Sequence, residues 1–302
     1  MNERMSRMEN FFDLSEVPFS DLFGGVEYVW EVLNRRDPYI RDNLCPNTCS
    51  SQRKDIRIEG EVYVGEGTVI ESGAYIRGPT IIGKDCQIRH GAYIRGGVIT
   101  GDHCVIGHTT EVIRSILLNH VRADHFAYVG DSVLGSNSHL GAGVILANVK
   151  MRMSPTSVKV RTNGTSHDTG MRKMGGILGD DTEIGCNSVT NPGTLLEKGV
   201  TVYPGITIGG YCRSGTVIKT SGHLGEPRSV FLANRGGSGW GDPLACPNCG
   251  QLITRIDRVK EMIGYCKELK GQCSCGQKYA FTLSPPNTLV LSFPDRQVEI
   301  VC

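Results

Sequence analysis

From Val64 to Val112 a valine, isoleucine or threonine falls on every sixth residue: Val64, Ile70, Ile76, Ile82, Ile88, Ile94, Thr100, Ile106, Val112. After a five-residue step the series resumes at Leu117, Ala123 and Val129, steps short again to Leu134, and continues through Leu140 and Leu146. Beyond an insertion it restarts at Leu178, Ile184, Thr190, Leu196, Val202 and Ile208. Glycine often follows the aliphatic, as in Val64-Gly65, Ile106-Gly107 and Leu140-Gly141. A hexapeptide period is the signature of a solenoid: each short strand buries one aliphatic, glycine takes the tight corner, and coils stack by strand pairing. The chain is therefore expected to be mainly β.

Thirty-nine glycines in 302 residues suit a chain that turns every few residues, and a formal net charge of +1 gives no reason to expect nucleic acid or a membrane surface as the main partner. No apolar run approaches the roughly 18 residues of a spanning helix. The acidic, aromatic N-terminus lacks the basic-then-apolar order of a signal peptide, so a cytoplasmic protein is expected. The 12 cysteines are spread over a large chain without a secretory segment, which favours reduced thiols and a metal site over a disulfide framework.

Four regions follow. Residues 1–55 are not repeat sequence. Leu22, Phe23, Val26, Val29, Trp30 and Leu33 recur at helical spacing behind Ser20 and Asp21, predicting one helix over roughly 20–35, ended by Pro38, with a short second piece around Ile40 and Leu44. The expected role is a helical cap over the open end of the solenoid. Residues 56–220 form the repeat region, interrupted at 148–176 by a polar insertion carrying Lys150, Arg152, Lys159, Arg161, Arg172 and Lys173. As a group these cations suit an anionic ligand, and an insertion of this length in a regular repeat is usually functional or disordered. Residues 221–244, with Gly236-Gly237-Ser238-Gly239, read as a linker.

Residues 245–302 read as a small β-module. Cys246 and Cys249, then Cys273 and Cys275, form two pairs each followed by glycine, which resemble the knuckles of a zinc ribbon, four thiolates around one tetrahedral ion. The second pair is C-x-C rather than C-x-x-C, and Cys266 is a spare thiol. Structural zinc is expected here, and the module is a candidate surface for a partner protein.

The histidines are placed by their phase. His90, His108 and His125 each lie two residues after a hexad aliphatic and three hexads apart, so they should stack in a file along one edge, about 4.8 Å per coil. His103 and His120 form a second such pair. One reading is that turn positions tolerate histidine. Another is metal: His120-x4-His125 resembles the paired ligands of γ-class carbonic anhydrases, although Lys84 stands two turns before His120 where a third histidine is wanted.

A third reading comes from a closer match. Ala123-Asp-His125-Phe-Ala-Tyr128-Val-Gly-Asp131, then Leu140-Gly-Ala142-Gly-Val-Ile-Leu-Ala-Asn148, then Leu178-Gly-Asp-Asp181 resemble the C-terminal acetyltransferase half of bacterial bifunctional N-acetylglucosamine-1-phosphate uridyltransferases, of the hexapeptide-repeat acyltransferase superfamily. The likeness runs from Ile94 to Ile208 and keeps both short steps. It implies a left-handed parallel β-helix, a homotrimer with active sites between neighbouring coils, acetyl-CoA as co-substrate and glucosamine 1-phosphate as acceptor. Carried over position by position, it makes His125 the general base, Arg95 and Tyr128 the sugar-phosphate ligands, Asn148 the asparagine at the sugar and Lys173 the loop lysine. The backbone amide that polarises the thioester falls on Ala142. The roles are coherent: a neutral imidazole takes a proton as the amine attacks, a fixed N–H stabilises the oxyanion, and cations hold the acceptor. Two positions depart from the pattern, Ile113 in place of a second phosphate lysine, with Arg114 adjacent, and His139 in place of an asparagine. Residues 1–55 hold neither the length nor the glycine-rich loop of a uridyltransferase domain.

The expected function is thus acyl-CoA-dependent N-acyl transfer to an amino sugar or its 1-phosphate. The rival is a non-catalytic β-helix that oligomerises or scaffolds, since a fold does not establish a function.

Overall fold

The computed structural model describes residues 7–47, 55–151, 156–162, 165–220, 229–232, 243–245, 252–255, 268–272, 278–284, 288–293 and 296–301. The chain divides into two compact units, Met1–Ser214 and Gly215–Cys302.

The first unit is a left-handed parallel β-helix of about nine turns. Its first face runs in eight strands from Arg57–Glu59 to Thr207–Ile208, its second in eight from Val62–Val64 to Tyr211–Cys212, and its third begins at Val69–Ile70. The pairing puts the hexad aliphatics in columns. On the first face Ile76, Ile94, Val112, Val129, Leu146, Thr190 and Ile208 follow one another coil by coil. On the third the column is Ile70, Ile88, Ile106, Ala123, Leu140, Ile184 and Val202. Nearly all of these side chains are buried, and they form the narrow core.

The short steps in the sequence have a location. Val112 pairs with Val129 and Val129 with Leu146, one residue short of the interval from Ile76 to Ile94. The missing residue tightens the corner between the first and second faces, where Arg114 and Asp131 sit with φ of 45° and 47°. The insertion leaves from the same corner. Its ends are pinned there by the Met174 N–H on the Asn148 carbonyl at 3.0 Å and the Gly175 N–H on the Asp131 carbonyl at 2.9 Å. Within it, Lys159–Thr162 and Thr165–Asp168 pair as an antiparallel hairpin, with Val158 and Val160 buried.

Two expectations for the N-terminal region are corrected. Instead of one helix over 20–35, there are 3-10 turns at Ser20–Phe23 and Val29–Glu31 and an α-helix at Val32–Asn43 that runs through Pro38. Gly24 and Gly25, the latter at φ 67°, break the periodic stretch. Burial of Val32, Leu33, Arg36 and Ile40 then offsets the cost of an internal proline, about 3 kcal/mol. Nor is an open end all that the region covers: Asn47 does meet the edge strand Val62–Val64, its N–H on the Val62 carbonyl at 3.3 Å and its Nδ2 on the Val64 carbonyl at 2.8 Å, but the apolar part goes elsewhere. It lies along the second face, where Phe11, Phe12, Leu22, Phe23, Val29 and Trp30 share one cluster with Ile99, Ile116, Val133, Ile177 and Leu195. The reason is legible in doublets such as Ile116-Leu117, Val133-Leu134, Ile177-Leu178 and Leu195-Leu196: a strand apolar on both sides needs cover on both.

Among the described residues Cys45, Cys86, Cys104, Cys186 and Cys212 are free thiols. In the second unit, Val217–Thr220 pairs antiparallel with Ser229–Leu232, a strand inside the stretch expected as linker; Val230, Phe231 and Leu232 give it β-forming character. Pro243–Ala245 pairs with Leu252–Arg255, and Glu268–Gln272, Lys278–Ser284, Thr288–Phe293 and Arg296–Val301 form a four-stranded antiparallel meander. Cys246, Cys249, Cys266, Cys273 and Cys275, and with them the zinc expectation, lie outside the described residues. Among the described residues no helix is long and apolar enough to cross a membrane.

Candidate functional site

The file of histidines forms where the third face turns into the first, and its three members do different work. His90 Nδ1 lies 2.6 Å from the Ser72 carbonyl and His108 Nδ1 3.0 Å from the His90 carbonyl, each ring tied to the preceding coil. Those two rings stack at 5.7 Å and 12°. His125 pairs in register with His108, but the stack stops below it, because Phe126 meets the His108 ring edge-on at 5.2 Å. The exposed His125 ring makes no hydrogen bond among the described residues; its neighbour is the Phe126 ring at 6.3 Å. Phe126 stands at φ 52° and is 54% exposed, a strained backbone for a bulky residue. Other coils place Gly91, Thr109, Gly143 and Asn187 at this corner, all at positive φ.

One coil further on, the Gly143 N–H donates to the His125 carbonyl at 3.1 Å, which sets Ala142 beside His125. The Ala142 carbonyl accepts from the Asn187 N–H at 2.8 Å, while its own N–H meets no carbonyl among the described residues. His103 and His120 do stack, at 4.8 Å and 8°, on the corner between the second and third faces, both at positive φ. His120 and His125 therefore stand at different corners, and no three His, Cys, Asp or Glu side chains converge as metal ligands among the described residues. His139 lies on the third face, paired in register with Arg122, its Nε2 3.6 Å from Asp124 Oδ2.

Across the first face the remaining expected residues gather. Arg95 Nη1 donates to Glu111 Oε1 at 2.6 Å, and its guanidinium lies 5.8 Å from the Tyr93 ring centre. Glu111 pairs with Tyr128. Tyr128 and Asn148 close over Gly130: a Cβ there would lie 2.8 Å from Tyr128 Oη and 2.6 Å from Asn148 Nδ2, so only glycine leaves both in place. Asn148 donates to the buried Asp131, which also accepts both arms of Arg114, at 2.7 and 2.8 Å. That pairing pushes the Arg114 pKa up, with burial opposing. The Arg114 carbonyl in turn accepts from Arg36 Nη1 at 2.7 Å.

Beyond this node lies a cavity of about 290 Å³, lined on one side by Leu33, Asn34, Arg36 and Asp37 and on the other by Asp131, Gly170, Met171, Arg172 and Lys173. Lys173 thus shares a site with Asp131 and, through it, with Asn148 and Arg114. His125 and Ala142 stand before the strand Tyr128–Gly130 and the cavity opens after it. Asn34, Arg36 and Asp37 are site residues that no motif marks, since nothing in a helical period tells which polar residues face a cavity. Arg114 was seen only as a neighbour of Ile113. Chemically, the surface offers at one end an imidazole and an N–H that meet no partner among the described residues, and at the other the anchored Arg36 and Arg114 with the exposed Arg172 and Lys173.

Residues 76–212 match the family described as the GMPPB C-terminal domain. A bifunctional sugar-1-phosphate nucleotidylyltransferase/acetyltransferase of Sulfurisphaera tokodaii is 34% identical over 180 residues, 59% of this chain and 44% of that protein. The bifunctional protein GlmU of Methanococcus maripaludis is 37% identical over 183 residues, 61% of this chain and 44% of that one. The chain spans less than half the length of these relatives. Among solved structures, UDP-N-acetylglucosamine acyltransferase from Campylobacter jejuni covers 60% of this chain and 74% of its own at 16% identity and a TM-score of 0.43. AntD, an N-acyltransferase from Bacillus cereus in complex with dTDP and coenzyme A, covers 57% and 84% at 17% identity and a TM-score of 0.31. The hexapeptide solenoid of this chain is thus similar in sequence to part of these GlmU-type proteins.

Proposed function

We propose that the chain is an acyl-CoA-dependent N-acyltransferase, acetyl-CoA being the expected donor, and that its acceptor is an amino sugar or amino sugar 1-phosphate. The observation that carries the reading is the contrast within the histidine file: the rings of His90 and His108 are tied to backbone carbonyls, and that of His125 is not. A ring nitrogen left uncommitted at an exposed corner is available to take a proton. His125 would accept it from the attacking amine, the Ala142 N–H would polarise the thioester carbonyl, and coenzyme A thiolate would leave after the tetrahedral intermediate collapses. Tyr128, Asn148, Arg95 and Lys173 would hold the acceptor. Arg95 would exchange its Glu111 partner for the ligand. The name of the Sulfurisphaera tokodaii relative, a sugar-1-phosphate nucleotidylyltransferase/acetyltransferase, supports acetyl transfer in a sugar-phosphate setting.

A homotrimer belongs to the proposal: among the described residues, the N-terminal apolar cluster packs on the second face, which leaves the first and third faces for neighbouring copies. The 245–302 module is proposed to bind zinc and to meet a partner protein.

The test is thiol release from acetyl-CoA with a panel of amino sugars and their 1-phosphates. His125→Ala is expected to lower turnover by about 10² to 10⁴, with acetyl-CoA affinity and melting temperature kept, whereas His90→Ala leaves turnover nearly unchanged. A wild-type chain that neither binds acetyl-CoA nor acetylates any of the panel would replace the enzyme by the scaffold reading.

A further inference from the structure

We propose that the N-terminal helix Val32–Asn43 is part of the acceptor site and that its Arg36 selects acceptors carrying a phosphate; this rests on the amino sugar reading above. The cavity is built from distant parts of the chain: Asn34, Arg36 and Asp37 on the helix, Asp131 at the solenoid corner, and Arg172 and Lys173 where the insertion returns. Its volume of about 290 Å³ is at the small end of ligand pockets, roughly 300–1,000 Å³. That is room for a group about the size of a phosphorylated monosaccharide.

The charges favour an anion. Arg36, Arg172 and Lys173 line the space against Asp37 and Asp131, and Asp131 is already held by Arg114 and Asn148. Arg172 and Lys173 are exposed, whereas Arg36 is fixed, with 5% of its surface accessible. Its Nη1 donates to the Arg114 carbonyl at 2.7 Å, and its Nε and Nη2 lie 2.9 and 2.8 Å from Asp37 Oδ1. A guanidinium carries five N–H donors in a planar fork, so these contacts leave donors on both terminal nitrogens. A rigid fork with spare donors, beside two more cations, matches two oxygens of a phosphate. Tying the helix to the Arg114 carbonyl would need only one N–H. The helix thereby supplies the wall opposite Lys173.

The experiment is calorimetric titration of the full chain with glucosamine 1-phosphate, with glucosamine and inorganic phosphate as separate titrants, and it needs no acyl transfer. Arg36→Gln is expected to weaken glucosamine 1-phosphate and phosphate about 10- to 100-fold, the loss of a charge-assisted contact, while glucosamine is unaffected. Asp37→Asn is expected to tighten both phosphate-bearing titrants, because it frees Arg36 and removes a negative charge from the wall. A packing role alone moves the two variants together or not at all. Should Arg36→Gln not fold, the exposed Asp37→Asn decides by its sign. Equal binding by wild type and Arg36→Gln, weaker or unchanged binding by Asp37→Asn, or a wild type that binds no phosphorylated sugar overturns the proposal. Loss of acetyl transfer with phosphate-dependent binding intact would sink only the transferase reading, and transfer retained with all variants binding alike would sink only the role of the helix.

Discussion

Replacing Ile88 by alanine measures how much of this protein rests on its inward column. Ile88 is fully buried, with Ile70 on one side and Ile106 on the other in consecutive coils of the third face. Each coil contacts only its neighbours, so the lost side chain leaves a gap the stack closes poorly. Isoleucine-to-alanine changes in such cores cost about 2–5 kcal/mol. For a domain of this size each kcal/mol lowers the melting temperature by about 2–4 °C, which puts the expected fall at about 4–20 °C. Ile88→Asp leaves a carboxylate without a partner in the same column, and no folded, soluble chain is expected. The control is Gln87, the exposed residue beside it, whose change to alanine should stay within about 0.5 kcal/mol. Thermal melts of the full chain followed by circular dichroism read all three. If Gln87→Ala costs as much as Ile88→Ala, the column is not where the pairing puts it, because a slip of one residue exchanges the inner and outer sides.

Trp30 is 2% exposed and stacks on Tyr28 at 4.7 Å, with His167 of the insertion hairpin 6.0 Å away. Trp30→Ala should cost about 3–5 kcal/mol and raise amide exchange in Lys159–Thr162 while the first-face strands stay protected; exchange unchanged in the hairpin would separate it from the N-terminal region. For the C-terminal module, elemental analysis after growth in zinc-replete medium is expected to give about one zinc per chain, with Cys246→Ser lowering it. Metal content near zero would remove zinc from Cys246, Cys249, Cys273 and Cys275.

The hexad beat made the solenoid readable because it is a local constraint repeated many times: one inward aliphatic and one corner per short strand leave a chain little choice. The short steps at Val112–Leu117 and Val129–Leu134, and the phase of His90, His108 and His125, were equally plain in one dimension. What the period could not carry was the difference between equivalent positions. His108 and His125 share a phase, yet only the tertiary structure ties one ring to a carbonyl and leaves the other uncommitted, with Phe126 turned between them. It also decided where residues 7–47 go. The apolar doublets of the second face announce a cover, but the site of that cover depends on surface that exists only once the coils have stacked. Arg36 meets the Arg114 carbonyl across 78 positions of sequence. No spacing rule reaches that far, because the contact is set by the packing of a helix on a face rather than by any period along the chain.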